Sequence, residues 1–524
     1  MPADHPNVLI LMTDHQRYDT VLPEHPCRTP NVQRLIDAGV TFTQTHCPAP
    51  HCCPARASFW SGQYPSKHGV WNNICNDSRL SDGIHADTRL WSSDIHDAGY
   101  RLHFSGKWHV DTKTGPADHG FVERGVKAKG DAVMGQTWET LRETADKPDP
   151  DPAERQWGQL LRPGYGPPVF SGFGALPNPE NHPDHQCTER ALESLDELTG
   201  GKDPWCVFAG YIGPHDPFYA PKEFVDLYPL EDVPLPESYD DEMRDKPALY
   251  RRMRQQVFGQ WSREEARDAI RHFWAYCSWL DHLFGKLLDK LDESGQAENT
   301  IVLYCSDHGD YCGEHGLFAK GIPAFDGAYH VPAVVRWPAG IENPGRRCDA
   351  LVSLCDFGPT FVEATGAAGA TAATAAADDR DFSGRSLMPF LKDEAPDDWR
   401  DALLMQCNGV ENYVTQRTIR TRDWRYTYNA FDFDELYDLR ADPHEMTNLA
   451  DDPRHETTKR KLCARMWALC MAERDVPGNS YFTVALAPAG PAAGVRYAQG
   501  MPVEGGADSP AKGAANEAAK GAAK

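Results

Sequence analysis

Long apolar runs are missing from this chain. The run Val8 to Met12 is too short for a signal peptide or a membrane helix, and no basic stretch precedes it in MPADHPN. The expectation is therefore a mature chain that starts at or near Met1, stays in the cytoplasm and has no membrane partner. Positive charge is also scarce. Lys and Arg number 53 against 77 Asp and Glu, a net charge of −24. That balance excludes a general nucleic-acid binder, which needs a basic face. An anionic substrate would have to be met by cations gathered locally. Spaced C-x-x-C pairs are absent too. The 15 cysteines are scattered through 524 residues and odd in number, which argues for reduced thiols and against a disulfide scaffold. No internal repeat is visible.

What is present is the composition of a soluble globular protein, 40% hydrophobic and 25% charged, long enough for one large domain and a smaller one. Asn7 to Met12 (NVLILM) is a continuous apolar run ending in Thr13-Asp14-His15. Trp205 to Tyr211 leads in the same way to Gly213-Pro214-His215-Asp216, and Ile301 to Cys305 leads to Ser306-Asp307-His308-Gly309. Such runs read as buried parallel strands. Leu280, Leu283, Phe284, Leu287, Leu288 and Leu291 mark an amphipathic helix closed by Gly295. Strands alternating with helices predict an α/β fold, a large mostly parallel sheet sandwiched by helices, with ligands beyond the carboxyl ends of its strands.

The expected organisation is a catalytic domain over 1–384 with a low-complexity insertion at 366–378, a smaller C-terminal α+β domain over 385–486, and an extended or disordered Ala/Gly/Pro-rich tail over 487–524. Gln416 to Asn429 alternates like an exposed antiparallel strand pair.

The densest chemistry lies in HCPAPHCCPARASFWSG, His46 to Gly62. Structural zinc would use Cys47, His51, Cys52 and Cys53, but adjacent cysteines in a proline-stiffened loop do not wrap an ion well. A redox dithiol would want C-x-x-C. A proline-rich loop with incidental cysteines is the plain reading of the segment in isolation.

Cys52-Cys53-Pro54-Ala55-Arg56, continuing ASFWSG, fits C-x-P-x-R-x-S-x-x-x-G, and only Cys52 has Pro two and Arg four positions on. This resembles the signature of type I sulfatases, of the alkaline phosphatase superfamily, whose first Cys becomes formylglycine. Other landmarks follow in order over roughly residues 6–452: Asp14, Asn73 (with Asn72 as the alternative register), Lys107 and His109 in SGKWH, His215 in GPHDPF, Asp307 and His308 in SDHGDYCGEHGLFAKG, and Lys320. The resemblance implies one divalent metal ion, Ca2+ or Mn2+, on Asp14, Cys52, Asp307 and His308. Where many relatives have a second aspartate this chain has His15, which stands as a nitrogen ligand, a group behind the ligands, or a neutral replacement for the carboxylate. It further implies catalytic roles for modified Cys52, Arg56, Asn73, Lys107, His109, His215 and Lys320, with Arg56 holding the charge of the formylglycine hydrate. A maturase acting on Cys52–Arg56 and a homo-oligomer are implied as partners.

The activity expected is hydrolysis of small-molecule sulfate monoesters, aryl sulfates in particular, with promiscuity to phosphonate monoesters and phosphodiesters. Retention of Lys107 and His109 favours sulfate, whereas Phe325 to His330 (FDGAYH) is reminiscent of phosphonate monoester hydrolases, and choline sulfatases form a neighbouring branch. The alternatives are a phosphonate monoester or phosphodiester hydrolase of the same fold, and a non-catalytic metal-binding protein using Cys47, His51 and Cys53 on one ion. On the sulfatase reading Cys47 and Cys53 are bystanders.

Overall fold

A computed structural model describes residues 5–76, 78–127, 138–146, 148–165, 168–367, 381–410, 412–475, 481–501 and 503. The large sheet contains β1 (Asn7–Thr13), β2 (Gly39–His46), β3 (Arg101–Lys107), β4 (Phe121–Lys127), β5 (Trp205–Gly210), β6 (Thr300–Ser306), β7 (Ala333–Arg336) and β8 (Arg346–Ser353). Their order is β8-β2-β7-β6-β1-β5-β3-β4. Every neighbouring pair is parallel except β6/β7 and β7/β2, because β7 alone runs antiparallel.

The sheet is buried on both faces, which is why its central strands read as unbroken apolar runs. In β1, Val8, Ile10 and Met12 enter one core, whereas Leu9 and Leu11 enter the other. The first core is shared with α2 (Cys52–Ser61). On the opposite face lie α1 (Pro30–Asp37) and a long helix over Arg263–Glu293. A capping box starts that helix: Ser262 Oγ accepts from Glu265 N at 3.1 Å, and a Glu265 carboxylate oxygen accepts from Ser262 N at 2.9 Å. Beyond its end, Gly295 takes a left-handed φ of 72°. No helix among the described residues is long and apolar enough to cross a membrane.

A second, antiparallel sheet comprises β9 (Ala402–Cys407), β10 (Gln416–Thr421), β11 (Trp424–Asn429) and β12 (Glu435–Asp438). The expected strand pair over 416–429 is there, but it is buried, not exposed. Its polar residues are paired internally: the Arg417 guanidinium lies on the Asp475 carboxylate, and Gln416 Nε2 donates to Asn429 Oδ1 at 2.9 Å. Alternating polarity here reflects satisfied buried groups, not solvent. The helix Glu456–Ala472 packs on this sheet through Leu462, Cys463, Met466 and Trp467. Within the span expected to be an extended or disordered tail, Pro491–Ala498 is a helix against Glu456–Ala472, with Ala493 and Gly494 buried between them. The small residues that weakened its apolar signal permit this close approach. Residues 504–524 and nearly all of the expected insertion at 366–378 lie outside the described residues. All 15 cysteines are free thiols.

Candidate active site

The strand ends converge as the fold class requires. Asp14 and His15 follow β1, His109 follows β3, which ends at Lys107, His215 follows β5, and Asp307 and His308 follow β6. Cys52 opens α2, and all ten residues of that helix are buried. Pro54 is tolerated in the first turn, where its missing N–H costs no helical bond. Gly62 closes the helix at φ 68°, with Phe382 only 2.5 Å from where a Cβ would stand. The last position of the sequence signature therefore has a steric cause.

Cys52 Sγ lies 3.2 Å from His308 Nε2 and 3.6 Å from Asp14 Oδ1. Arg56 sits behind the aspartates. Its Nε donates to Asp307 Oδ2 at 2.7 Å and its Nη2 to Asp14 Oδ2 at 3.0 Å, while Nη1 reaches the Lys107 carbonyl at 3.1 Å. Its side-chain nitrogens thus reach both carboxylates that would hold a cation and the Lys107 carbonyl, and its charge also interacts with that of Cys52. Lys107 Nζ lies 2.5 Å from Asp14 Oδ2. Asn73, not Asn72, supports the helix start: Asn73 Oδ1 accepts from Cys53 N at 3.1 Å, whereas Asn72 braces a loop through Ser78 and Leu80.

Opposite these, Lys320 Nζ contacts His15 Nε2 and lies 3.1 Å from His215 Nε2. His15 Nδ1 is 3.1 Å from Asp310 Oδ2. Nδ1 of His15 is thus engaged by Asp310 and Nε2 by Lys320, so the ring is placed as a support for Lys320. His215 Nδ1 is 2.7 Å from the Asp216 carbonyl and 3.1 Å from its carboxylate. His109 Nε2 is 3.1 Å from Cys75 Sγ. His15, His109 and Ala319 all hold positive φ, a concentration of uncommon backbone conformations around one spot.

The electrostatics favour an anion at residue 52. Burial opposes a thiolate, yet Lys107, Lys320 and His308 hold Cys52 well below the usual thiol range. Asp14 is likewise held low against burial and the Cys52 charge, by Lys107 and Arg56. Burial and the neighbouring Asp14 push Asp307 up to about 6. Burial, Lys320 and His215 keep His15 neutral. Burial and Lys320 disfavour a charge on His215, but Asp216 outweighs them and raises it to about 10.

Ligand atoms of Asp14, Cys52, Asp307 and His308 lie within 4.8 Å of one another. Two carboxylates facing each other in a buried, oxygen-bearing cluster fit a hard divalent cation. A second group, Asp14, His15, Cys52 and His215, shares two of these residues. Cys47 joins neither: its Sγ faces the Ala328 carbonyl, so the expected single-ion set of Cys47, His51 and Cys53 is not assembled.

Sequence reasoning missed Asp216, Asp310 and Cys75, although the first two lie within the quoted GPHDPF and SDHGDY segments. It also missed Asp184, whose carboxylate accepts from Ile212 N at 2.6 Å and Gly213 N at 3.0 Å and so sets the turn before His215. The site opens into a cavity of about 730 Å³ with Ile74, Ile212, Met253, Val257, Ile322 and Val410 in its walls.

The Sulfatase family profile matches residues 6–367, and the profile of the N-sulphoglucosamine sulphohydrolase C-terminal region matches residues 313–472. The choline-sulfatase of Rhizobium meliloti (strain 1021) is 30% identical over 478 residues, covering 88% of this chain and 86% of the relative. The multifunctional alkaline phosphatase superfamily protein PehA of Trinickia caryophylli is 27% identical over 525 residues, covering 90% and 96%. Phosphonate monoester hydrolase SpPMH from Silicibacter pomeroyi superposes with a TM-score of 0.70 at 22% identity over 89% of this chain and 96% of that one, which shows a shared fold. With a family match across most of its length and these relatives spanning nearly all of it, the chain belongs to the sulfatase family, within the alkaline phosphatase superfamily.

Proposed function

We propose that this chain hydrolyses sulfate monoesters, aryl sulfates foremost, with residue 52 as formylglycine and one divalent cation, Ca2+ or Mn2+, held by Asp14, residue 52, Asp307 and His308. When present, the cation polarises the sulfuryl oxygens and the modified residue contributes geminal hydroxyls as nucleophile and release group. The Cys52 sulfur stands where those oxygens would lie. Ten consecutive buried residues leave a maturase no access to α2 in the folded chain, so modification precedes folding.

Lys107 and Lys320 flank the same point and neutralise negative charge on the transferring group. Asp14 and Arg56 fix their side of the site: Asp14 holds Lys107, and Arg56 locks both carboxylates. His215, pinned through Nδ1 by Asp216, directs Nε2 toward the leaving oxygen and carries the proton for it. His109 approaches residue 52 from another side and receives its proton when sulfate departs.

The observation that carries this reading is the convergence of Lys107, Lys320 and His215 on Cys52 in a chain of net charge −24. The described cavity lining includes Ile74, Ile212, Met253, Val257, Ile322 and Val410 and no arginine, which suits an apolar leaving group better than a polyanionic sugar. Among the described residues that line the cavity, Trp108 is the only Trp, Tyr or Phe and is itself buried, which offers little stacking to a quaternary ammonium ester. The same cluster could accept a phosphonate monoester, the substrate class for which a protein of the same fold, SpPMH, is named. Comparing kcat/KM for matched aryl sulfate, aryl phosphonate and choline sulfate esters decides. The aryl sulfate is expected to lead, and a clear preference for either of the others overturns the assignment.

A further inference from the structure

Beside residue 52 lies a second cluster of different chemistry. Cys53 comes from the first turn of α2, Cys75 from the loop after Asn73, and His109 from the segment after β3. One ligand atom from each lies within 4.8 Å of the other two. His109 Nε2 is 3.1 Å from Cys75 Sγ, and Cys53 Sγ accepts from Ile74 N at 3.4 Å. A tetrahedral ion bound by two thiolates and an imidazole separates its donors by roughly 3.5–3.8 Å. Small side-chain shifts would therefore complete three ligand positions that the fold has already gathered from separate elements. Cys75 and His109 also line the cavity, which gives an ion a path in and leaves a fourth position facing open space.

We infer that Cys53, Cys75 and His109 form a binding site for a thiophilic ion such as Zn2+ or Cd2+, distinct from the oxygen-bearing set and inhibitory when filled. The two sites differ in donor softness. Asp14 and Asp307 suit a hard cation, whereas two sulfurs and a nitrogen select a soft one. On binding, any protons carried by Cys53, Cys75 and His109 pass to the buffer, leaving two thiolates that balance the ion's charge and a neutral imidazole. The consequence for turnover rests on the function proposed above: a metal-bound His109 nitrogen cannot exchange a proton with residue 52. Ion binding itself does not depend on that reading.

The test uses the full-length protein saturated with Ca2+ and titrated with Cd2+, followed by the ultraviolet thiolate-to-cadmium charge-transfer band. One equivalent is expected to bind with that band, also in Cys52→Ser, which removes the neighbouring sulfur. Cys75→Ser, checked for folding by circular dichroism, should lose the band. His109→Gln should bind about tenfold more weakly or worse, since even indirect support of a metal ligand is worth that much. In parallel, Cd2+ should suppress aryl sulfate turnover, with recovery on adding a chelator. Absence of the band in the parent protein, its loss in Cys52→Ser or its persistence in Cys75→Ser overturns the site. An enzyme with no aryl sulfate turnover that still shows the Cys75-dependent band would overturn the proposed function and leave the site standing.

Discussion

Two clusters of histidine and aspartate flank the large sheet, and they have opposite fates. At residue 52, Asp14, Asp307 and His308 meet three further cationic groups, Lys107, Lys320 and His215, and open into a cavity. The other cluster joins His46, at the end of β2, to Asp326 and His330. Here His46 Nε2 lies 3.2 Å from Asp326 Oδ1 and His330 Nδ1 lies 3.3 Å from Asp326 Oδ2. The two imidazoles stack at 4.4 Å, and Tyr18 stacks on His330 at 3.5 Å. From the C-terminal sheet, Arg420 and Arg425 approach Asp326, and Arg425 pairs with Glu445. Two arginines offset two carboxylates, and both imidazoles are buried while Asp326 is about three-quarters covered. The residue types are nearly the same in both places. Surplus positive charge and access to a cavity suit one to the chemistry proposed above, and their lack leaves the other a brace between the two sheets.

Substitutions should separate the two most sharply in turnover. His215→Ala should lower kcat on an aryl sulfate by about 10²–10⁴, and Lys107→Ala by about 10²–10³, with unfolding midpoints little changed. If neither variant loses turnover appreciably, the assigned pocket is wrong. At the brace the pattern should invert. Asp326→Asn removes one partner of a buried charge network, which costs about 3–5 kcal/mol in chemical unfolding, while kcat/KM of the folded protein stays within about tenfold. A stable but inactive Asp326→Asn protein would erase the distinction.

The smallest expected effect concerns pH. Burial and the neighbouring His330 push His46 down to about 4, below its ordinary 6.5. The unfolded chain therefore binds the proton more readily between those values. Stability from this group is complete above pH 6.5 and falls as pH drops toward 4, by about 2 kcal/mol at pH 5. Urea unfolding of parent and His46→Gln proteins across pH 7 to 5 should show a shallower slope in the variant. Equal slopes would mean that the brace does not hold His46 neutral.

Much of this contrast was legible before the fold was known, but unevenly. β1, β5 and β6 showed in the sequence because strands buried on both faces must be apolar throughout, and their polar ends had to lie together at one edge of a parallel sheet. Cys52 was singled out because Pro54, Arg56 and Gly62 stand at the spacing of the sulfatase signature, although Arg56 answers Asp14 and Asp307 and Gly62 answers Phe382, all outside that helix. Asp216 and Asp310 were within view, but nothing local shows that one holds His215 and the other His15. Cys75 was hidden for a different reason. Its neighbours Cys53 and His109 come from remote parts of the chain, and three-dimensional proximity leaves no period or spacing to read. The buried hairpin of β10 and β11 was misread because Arg417 and Gln416 look solvent-facing until Asp475 and Asn429 are placed against them.

On the proposed mechanism residue 52 works as an aldehyde, not as a thiol. Mass spectrometry of the peptide spanning residues 47–56, taken after alkylation from catalytically active protein of the native host, tests it directly. The predicted result is a residue 52 lighter than cysteine and unalkylated, with Cys47 and Cys53 both alkylated. Fully active protein with an alkylated Cys52 would contradict it.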